Sequence, residues 1–331
     1  MKALEDLLKV EDLRTYFFTE AGVVKAVDGI SLDVRKGESH GLVGESGSGK
    51  SVTALSVMRI VPKPGKIVGG KISFDGTDLL TLKEDDMRRV RGSKIAMVFQ
   101  DPISSLDPLY TVGKQLIEAI RANNETVSKE QARDMAISLL SNVEISEPER
   151  RFNQYPHELS GGMKQRIAIA RALARTPTLL FADEPTTNLD VTIQAQVLNL
   201  MKDLKKNFNM TLVLITHDMG IIAEMTSRVT VVYAGQVSES AETHTLFYHP
   251  THPYTEALLK AVPRLDKRKQ LQSVGGNIPN LIDPPTGCRF HPRCPYAIQI
   301  CKEKVPDYEE VETDHFVACH RWKELSLVGV Q

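Results

Sequence analysis

The stretch Gly44-Glu45-Ser46-Gly47-Ser48-Gly49-Lys50-Ser51 has the form G-x-x-x-x-G-K-S and lies between an apolar run, Gly41-Leu42-Val43, and a helix-like segment, Val52 to Ile60. Strand, glycine-rich turn and helix in that order are the context a phosphate-binding loop requires. The glycines permit a tight turn whose backbone N–H groups face the β- and γ-phosphates. Lys50 adds a point charge, and the Ser51 hydroxyl is a candidate ligand for Mg²⁺. All eight residues, Gly44 to Ser51, are therefore read as the seat of a nucleoside triphosphate.

Around this loop the chain has 331 residues, 41% apolar and 25% charged, which suits a soluble globular protein with one large domain and one small. The formal net charge is −1, and no Lys/Arg block is long enough to form a footprint for nucleic acid or an anionic membrane. No stretch approaches the roughly 20 apolar residues that cross a bilayer. The first six residues, Met1-Lys2-Ala3-Leu4-Glu5-Asp6, carry acids where a signal peptide needs basic and then apolar residues. The expectation is a cytosolic protein that meets a membrane only through a protein partner.

Short apolar runs recur at Ile95-Ala96-Met97-Val98-Phe99, Leu179-Leu180-Phe181-Ala182, Leu212-Val213-Leu214-Ile215 and Val229-Thr230-Val231-Val232, with helix-like segments between several of them. They predict an α/β core with a buried, largely parallel sheet. Ile193, Val197, Leu200 and Leu204 fall at i, i+4, i+7 and i+11, an apolar stripe for a helix packed on that sheet. From about 101 to 160 the pattern is helical and polar, which predicts a helical subdomain. After Pro263 the composition shifts to proline and cysteine, with too little periodic apolar sequence for a separate core. The division expected is an ATPase-type domain over 1–262 and an extension over 263–331.

The Leu179–Ala182 run ends in Asp183-Glu184, two carboxylates at the carboxyl end of a strand, where open α/β sheets bind ligands. The first suits Mg²⁺ and the second can polarise a water aimed at the γ-phosphorus. Farther upstream, Leu159-Ser160-Gly161-Gly162-Met163-Lys164-Gln165-Arg166 puts a serine and two glycines before a helix-like segment, Met163 to Ala174. Free N–H groups and the positive end of a helix dipole make that a second phosphate site. One loop already accounts for the phosphate contacts within the chain, so the spare site calls for a second molecule.

Taken together, Gly44–Ser51, Gln100, the Leu159–Arg166 run, Leu179–Glu184, Asn188-Leu189-Asp190 and His217 resemble the ordered motifs of ABC-transporter nucleotide-binding subunits, over roughly residues 7–262. The resemblance implies a P-loop ABC ATPase fold with an N-terminal antiparallel β part. It also implies a head-to-tail pair of subunits enclosing two ATP, in which Ser160, Gly161 and Gly162 of one close over the phosphates held by the other. It gives Gln100 contact with Mg²⁺ or the attacking water and a link to the transmembrane partner, with Ser51 and Asp183 as the other Mg²⁺ ligands. Glu184 becomes the general base, and His217, ending a strand over Thr211–Thr216, contacts the γ-phosphate and holds Glu184. Asp190 belongs to the linker motif, in which Thr187-Asn188 stands where many relatives have Ser-Ala. The family stacks adenine on an N-terminal aromatic; Tyr16, Phe17 and Phe18 are candidates, and spacing to Ala26-Val27-Asp28 favours Phe17. Simple alternation puts Phe17 with Leu13 and Thr15 and the other two aromatics on the opposite face.

All four cysteines fall in one segment, Cys288-x5-Cys294-x6-Cys301-x17-Cys319. In a cytosolic, proline-rich tail that spacing reads as a Cys₄ metal site, for zinc or an iron–sulfur cluster. His291, His315 and His320 lie nearby in sequence and rank below cysteine as ligands. With His249-Pro250-Thr251-His252-Pro253-Tyr254-Thr255 and Gly287 to Pro295, the region resembles the C-terminal extension of oligopeptide/dipeptide ABC importers, in its D-type subunit. Members with these cysteines are associated with a [4Fe–4S] cluster.

The expected function is therefore an ATP-hydrolysing subunit of a peptide importer at the cytoplasmic face of the membrane. Its expected partners are a second, paralogous ATPase subunit, two permeases and, indirectly, an external peptide-binding protein, with no nucleic acid. The alternatives are an importer of nickel or another small solute, and a soluble ABC ATPase acting on nucleic acid or the ribosome. Against the last, the 60 residues from Gln100 to Ser160 leave no room for coiled-coil arms, and there is a single cassette.

Overall fold

The computed structural model describes residues 5–101, 105–122, 126–262 and 275–330. The boundary expected near Pro263 and the first four residues, Met1 to Leu4, lie outside them. In chain order the strands are β1 (Asp6–Thr19), β2 (Gly22–Arg35), β3 (Ser39–Val43), β4 (Gly65–Phe74), β5 (Thr77–Asp78) and β6 (Ile95–Val98). They continue as β7 (Leu179–Asp183), β8 (Thr211–Thr216), β9 (Arg228–Tyr233), β10 (Gln236–Glu242), β11 (Glu309–Glu312) and β12 (His315–Val317). Two compact units contain them, one made of Met1–Thr81 with Leu214–Gln331 and the other of Leu82–Val213. Strand β8 carries the chain from the second back into the first.

In the first unit, β2-β1-β4-β5 form an antiparallel sheet, with Leu13 opposite Ile30 and Val10 opposite Ile72. Those four side chains are fully buried, so one face of this sheet is core and its register is set by that burial. The remaining strands of the unit run β11-β12-β10-β9-β3. Strand β3 is parallel to β9, whereas β9–β10, β10–β12 and β12–β11 are antiparallel. The parallel β3–β9 pair is the expected kind of core pairing, and antiparallel strands extend it: β10, which follows β9 directly, and then β12 and β11 from the tail. Glu239 and Ser240 of β10 pair with Val317 and Phe316 of β12.

The tail also shares the core of this unit. Phe290, 2% exposed, packs edge-on against Tyr233 with ring centroids 5.2 Å apart and against Tyr254 at 5.3 Å, within the cluster of Val43, Ile222 and Val231. A segment with few apolar residues is held by lending them to a core already formed.

In the second unit, β6 runs parallel to β7, pairing Ile95 with Leu179 and Val98 with Ala182. Helices Val112–Arg121, Lys129–Asn142 and Pro148–Phe152 fill the stretch expected to be helical. Ser128 caps the second of them in a reciprocal capping box with Gln131, worth about 1 kcal/mol. Helix Val191–Asn207 buries Val197, Leu200 and Leu204 of the expected stripe.

Candidate functional site

The phosphate loop lies between β3 and the helix Lys50–Val57. Gly49 holds φ +106°, and a Cβ there would strike Ala26 O; a Cβ on Gly44 would strike Val232 O. Only glycine allows the loop so close to neighbouring backbone. Lys50, 5% exposed, donates from Nζ to Gly44 O at 2.7 Å and Glu45 O at 2.9 Å, so its charge sits at the mouth of the loop. The fully buried Ser48 Oγ has no hydrogen-bond partner among the described residues. Ser51 follows in the first turn of the helix, and Ser46 and Gly47 are exposed at the loop tip.

Two side chains from far along the chain, Tyr254 of the helix Pro253–Lys260 and Arg293 of the tail, reach the same loop. The Glu45 N–H donates to Tyr254 Oη at 2.9 Å, and the Glu45 carboxylate receives a two-pronged Arg293 guanidinium at 2.7 and 2.9 Å. Sequence reasoning missed both. The hints in the sequence were that Tyr254 lies in the His249–Thr255 run and that Arg289 and Arg293 lie between the first two cysteines; Arg289 in turn pairs with Asp28 and donates to Ala234 O.

In the second unit the β6–β7 pairing brings together residues 84 positions apart. Gln100 Nε2 donates to Glu184 Oε2 at 2.7 Å, and Thr187 Oγ1 donates to the same oxygen at 3.0 Å. Glu184 itself holds φ +44°, a left-handed conformation that costs a non-glycine residue of order 1–3 kcal/mol and is found where a side chain must be aimed. Asp183, 6% exposed, ends β7. The two donors hold the carboxylate in one orientation, and a carboxylate is a group that can accept a proton from water. Sequence reasoning had placed Thr187 only in the linker motif and gave it no contact with Glu184; a hydroxyl three residues after Glu184 was the available signal.

Ser160 caps the helix Gly161–Leu173, its Oγ accepting from Met163 N at 3.3 Å, and Ser160 and Gly161 are exposed. Their N–H groups and the helix dipole can receive an anion. A Cβ on Gly162 would come within 2.8 Å of Ile193 Cγ2, so this helix start is pressed against the start of Val191–Asn207. Asp190 caps that second helix through Ile193 N at 3.0 Å. His217, in the first unit, is exposed in the turn between β8 and the helix Met219–Met225, which Asp218 caps.

Alternation does not hold across the three aromatics, because β1 shifts register between Thr15 and Phe17. Tyr16 is tied up by a 2.5 Å hydrogen bond from Oη to Asp28, Phe17 is half-buried with Gly65 against its ring, and Phe18 is 46% exposed.

Among the described residues no group of three or more His, Cys, Asp or Glu is disposed to hold a metal ion. The four cysteines carry free thiols and nonetheless line one cavity of about 20 Å³, together with His291 and His320. Burial pushes Cys288 up to about 11 and Cys319 up to about 12, and raises Cys294 as well. Such thiols stay protonated near neutral pH until a cation displaces the proton. Four soft donors on one cavity fit zinc or an iron–sulfur cluster in their chemistry. His315 is elsewhere: its Nε2 meets Glu239 Oε1 at 2.8 Å on β10, so it leaves the ligand candidates.

The family model for the ABC transporter matches residues 27–187, and that for the oligopeptide/dipeptide transporter C-terminal region matches 238–301. A probable peptide ABC transporter ATP-binding protein, y4tR of Sinorhizobium fredii, is 50% identical over 322 residues, 96% of each chain. The chain belongs to the ATP-binding subunits of the ABC transporters, in their oligopeptide/dipeptide branch. The Bacillus subtilis oligopeptide transport protein OppD is 48% identical over 314 residues, covering 94% of this chain and 87% of its own. The Escherichia coli dipeptide transport protein DppD is 46% identical over 315 residues, covering 95% and 96%. Among solved structures, the dimeric post-hydrolysis cassette MJ0796 bound to ADP and Pi superposes at a TM-score of 0.64 with 29% identity, over 71% of this chain and 98% of its own. The fold is that of an ATP-hydrolysing ABC cassette, and among the described residues no helix is long and apolar enough to cross a membrane.

Proposed function

We propose that this chain is the energy-coupling ATPase of an importer for dipeptides and oligopeptides, with residues 1–262 as the ATPase domain and 263–331 as its extension. The near full-length likeness to y4tR at 50% identity carries the proposal. ATP sits on Gly44–Ser51, with Lys50 against its phosphates and Phe17 against adenine. Ser51, Gln100 and Asp183 carry the oxygen donors that suit Mg²⁺, whose charge would offset that of the phosphates. Glu184, steadied by Gln100 and Thr187, takes the proton of the attacking water, and His217 supports the γ-phosphate. Most of the rate gain comes from positioning and charge.

In a closed pair of subunits, Ser160, Gly161 and Gly162 complete the partner's site beside Asp190. The motion passes through the Gln100 region to two permeases, so the chain acts at the cytoplasmic face of the membrane. In proteoliposomes holding the permeases, a second cassette and an external binding protein, ATP should drive uptake of labelled dipeptide. Uptake of nickel but not of peptide would overturn the cargo, and failure to assemble with permeases would overturn the importer.

The same proposal gives Cys288, Cys294, Cys301 and Cys319 a metal centre, [4Fe–4S] or zinc, supported by their shared cavity and soft donor set. A centre bound there would tie the tail loops together and supply folding free energy that its few apolar side chains do not. Anaerobically purified protein should be brown with absorption near the iron–sulfur bands and lose it in a Cys301→Ser variant; colourless protein with stoichiometric zinc selects zinc. Protein with neither metal removes the site.

A further inference from the structure

The first variable position of the phosphate loop is a glutamate, an acid in a turn that must hold several negative phosphates. Left alone, its carboxylate would repel the ligand. The tail answers it. Arg293, one residue before Cys294, has a side chain only 5% exposed and grips both Glu45 oxygens. A planar guanidinium fork on a carboxylate fixes direction as well as charge. The fork is itself fixed: Nε donates to Gly275 O at 2.7 Å, Nη1 approaches Tyr233 Oη at 3.3 Å, and the guanidinium lies 5.6 Å from the Tyr233 ring centre. Tyr254, fully buried and 4.6 Å from Tyr233 between ring centres, holds the Glu45 N–H from the other side.

We infer that Arg293 is a positioning residue of the nucleotide site: through Glu45 it orients the first turn of the phosphate loop and cancels the one carboxylate there, so that the cysteine-bearing tail sets the affinity for ATP. This rests on the loop being the triphosphate seat. Tail and loop share one packed core around Phe290, Tyr233 and Tyr254, so a shift of the cysteine segment is felt at Glu45 without passing through solvent.

A double-mutant cycle in the full-length protein tests it, with equilibrium binding of ATP, steady-state kinetics and thermal unfolding read on every variant. Arg293→Met should weaken ATP binding roughly tenfold, the worth of one uncancelled charge facing phosphates across a partly desolvated gap, with the loss in KM rather than kcat. Made on a Glu45→Gln background, the same substitution should cost less than about twofold, because no charge is left to cancel. Arg293→Lys, which keeps the charge but not the fork, should fall between and guards against an unfolded Met variant. Equal losses on both backgrounds would show a purely structural role and overturn the inference, as would an unchanged KM. Lys50→Ala in the same series separates the underlying assumption: if it binds ATP normally, the loop is not the seat at all.

Discussion

Glu184→Gln retains ATP binding and loses hydrolysis, with turnover down roughly 10²–10⁴-fold, the usual worth of a positioned general base. The substitution keeps shape, and its amide oxygen can still accept from Gln100 Nε2 and Thr187 Oγ1, which meet Glu184 Oε2 at 2.7 and 3.0 Å. What it removes is the basicity of the carboxylate. The loss therefore falls on the chemical step, while removing a negative charge near the phosphates leaves affinity equal or tighter. Glu184→Ala goes further, leaving both donors without their acceptor. Nucleotide affinity and single-turnover hydrolysis measured on the Gln variant decide the matter, and wild-type hydrolysis would take Glu184 out of the base role.

For Lys50→Ala the loss is expected in binding itself, by roughly two orders of magnitude or more, because a desolvated charge facing phosphate is worth far more than an exposed one. Lys50 is 5% exposed and bridges Gly44 O and Glu45 O. Its removal strips the phosphates of a counter-charge and leaves two loop carbonyls unbridged. Equilibrium binding of ATP with thermal unfolding as a control reads both effects. A folded variant with unchanged affinity would mean that the triphosphate lies elsewhere.

The legible parts of the site were the local ones. A phosphate loop is a property of eight consecutive residues, since glycine conformations and one lysine at fixed spacing are enough to form it. The Ser160 cap and the Asp183-Glu184 pair were readable for the same reason, each a short signal at an element's end. The antiparallel N-terminal sheet and the ABC cassette fold followed from the ordered motifs. Contacts that join distant segments were not legible. Gln100 and Glu184 meet because β6 pairs with β7, and only family resemblance had given Gln100 a role. The register shift in β1 broke a simple alternation over Tyr16, Phe17 and Phe18, since an irregular strand leaves no mark that period-two counting detects. His315 sat near the cysteines in sequence but turned to Glu239 on another strand.

The tail shows the division most clearly. Its composition offers few periodic apolar residues, and three-residue β12 and the lone Phe290 side chain that enters the core are signals too short to separate from loop. Local spacing of glycines, charges and hydroxyls was sufficient to determine that this chain cradles a nucleoside triphosphate, because those interactions are made by neighbours along the backbone. Tertiary structure alone decided that Arg293 faces Glu45 and that Phe290 enters the core beside Tyr233. Such pairings are set by sheet register and core packing, which bring together residues that no short-range pattern relates.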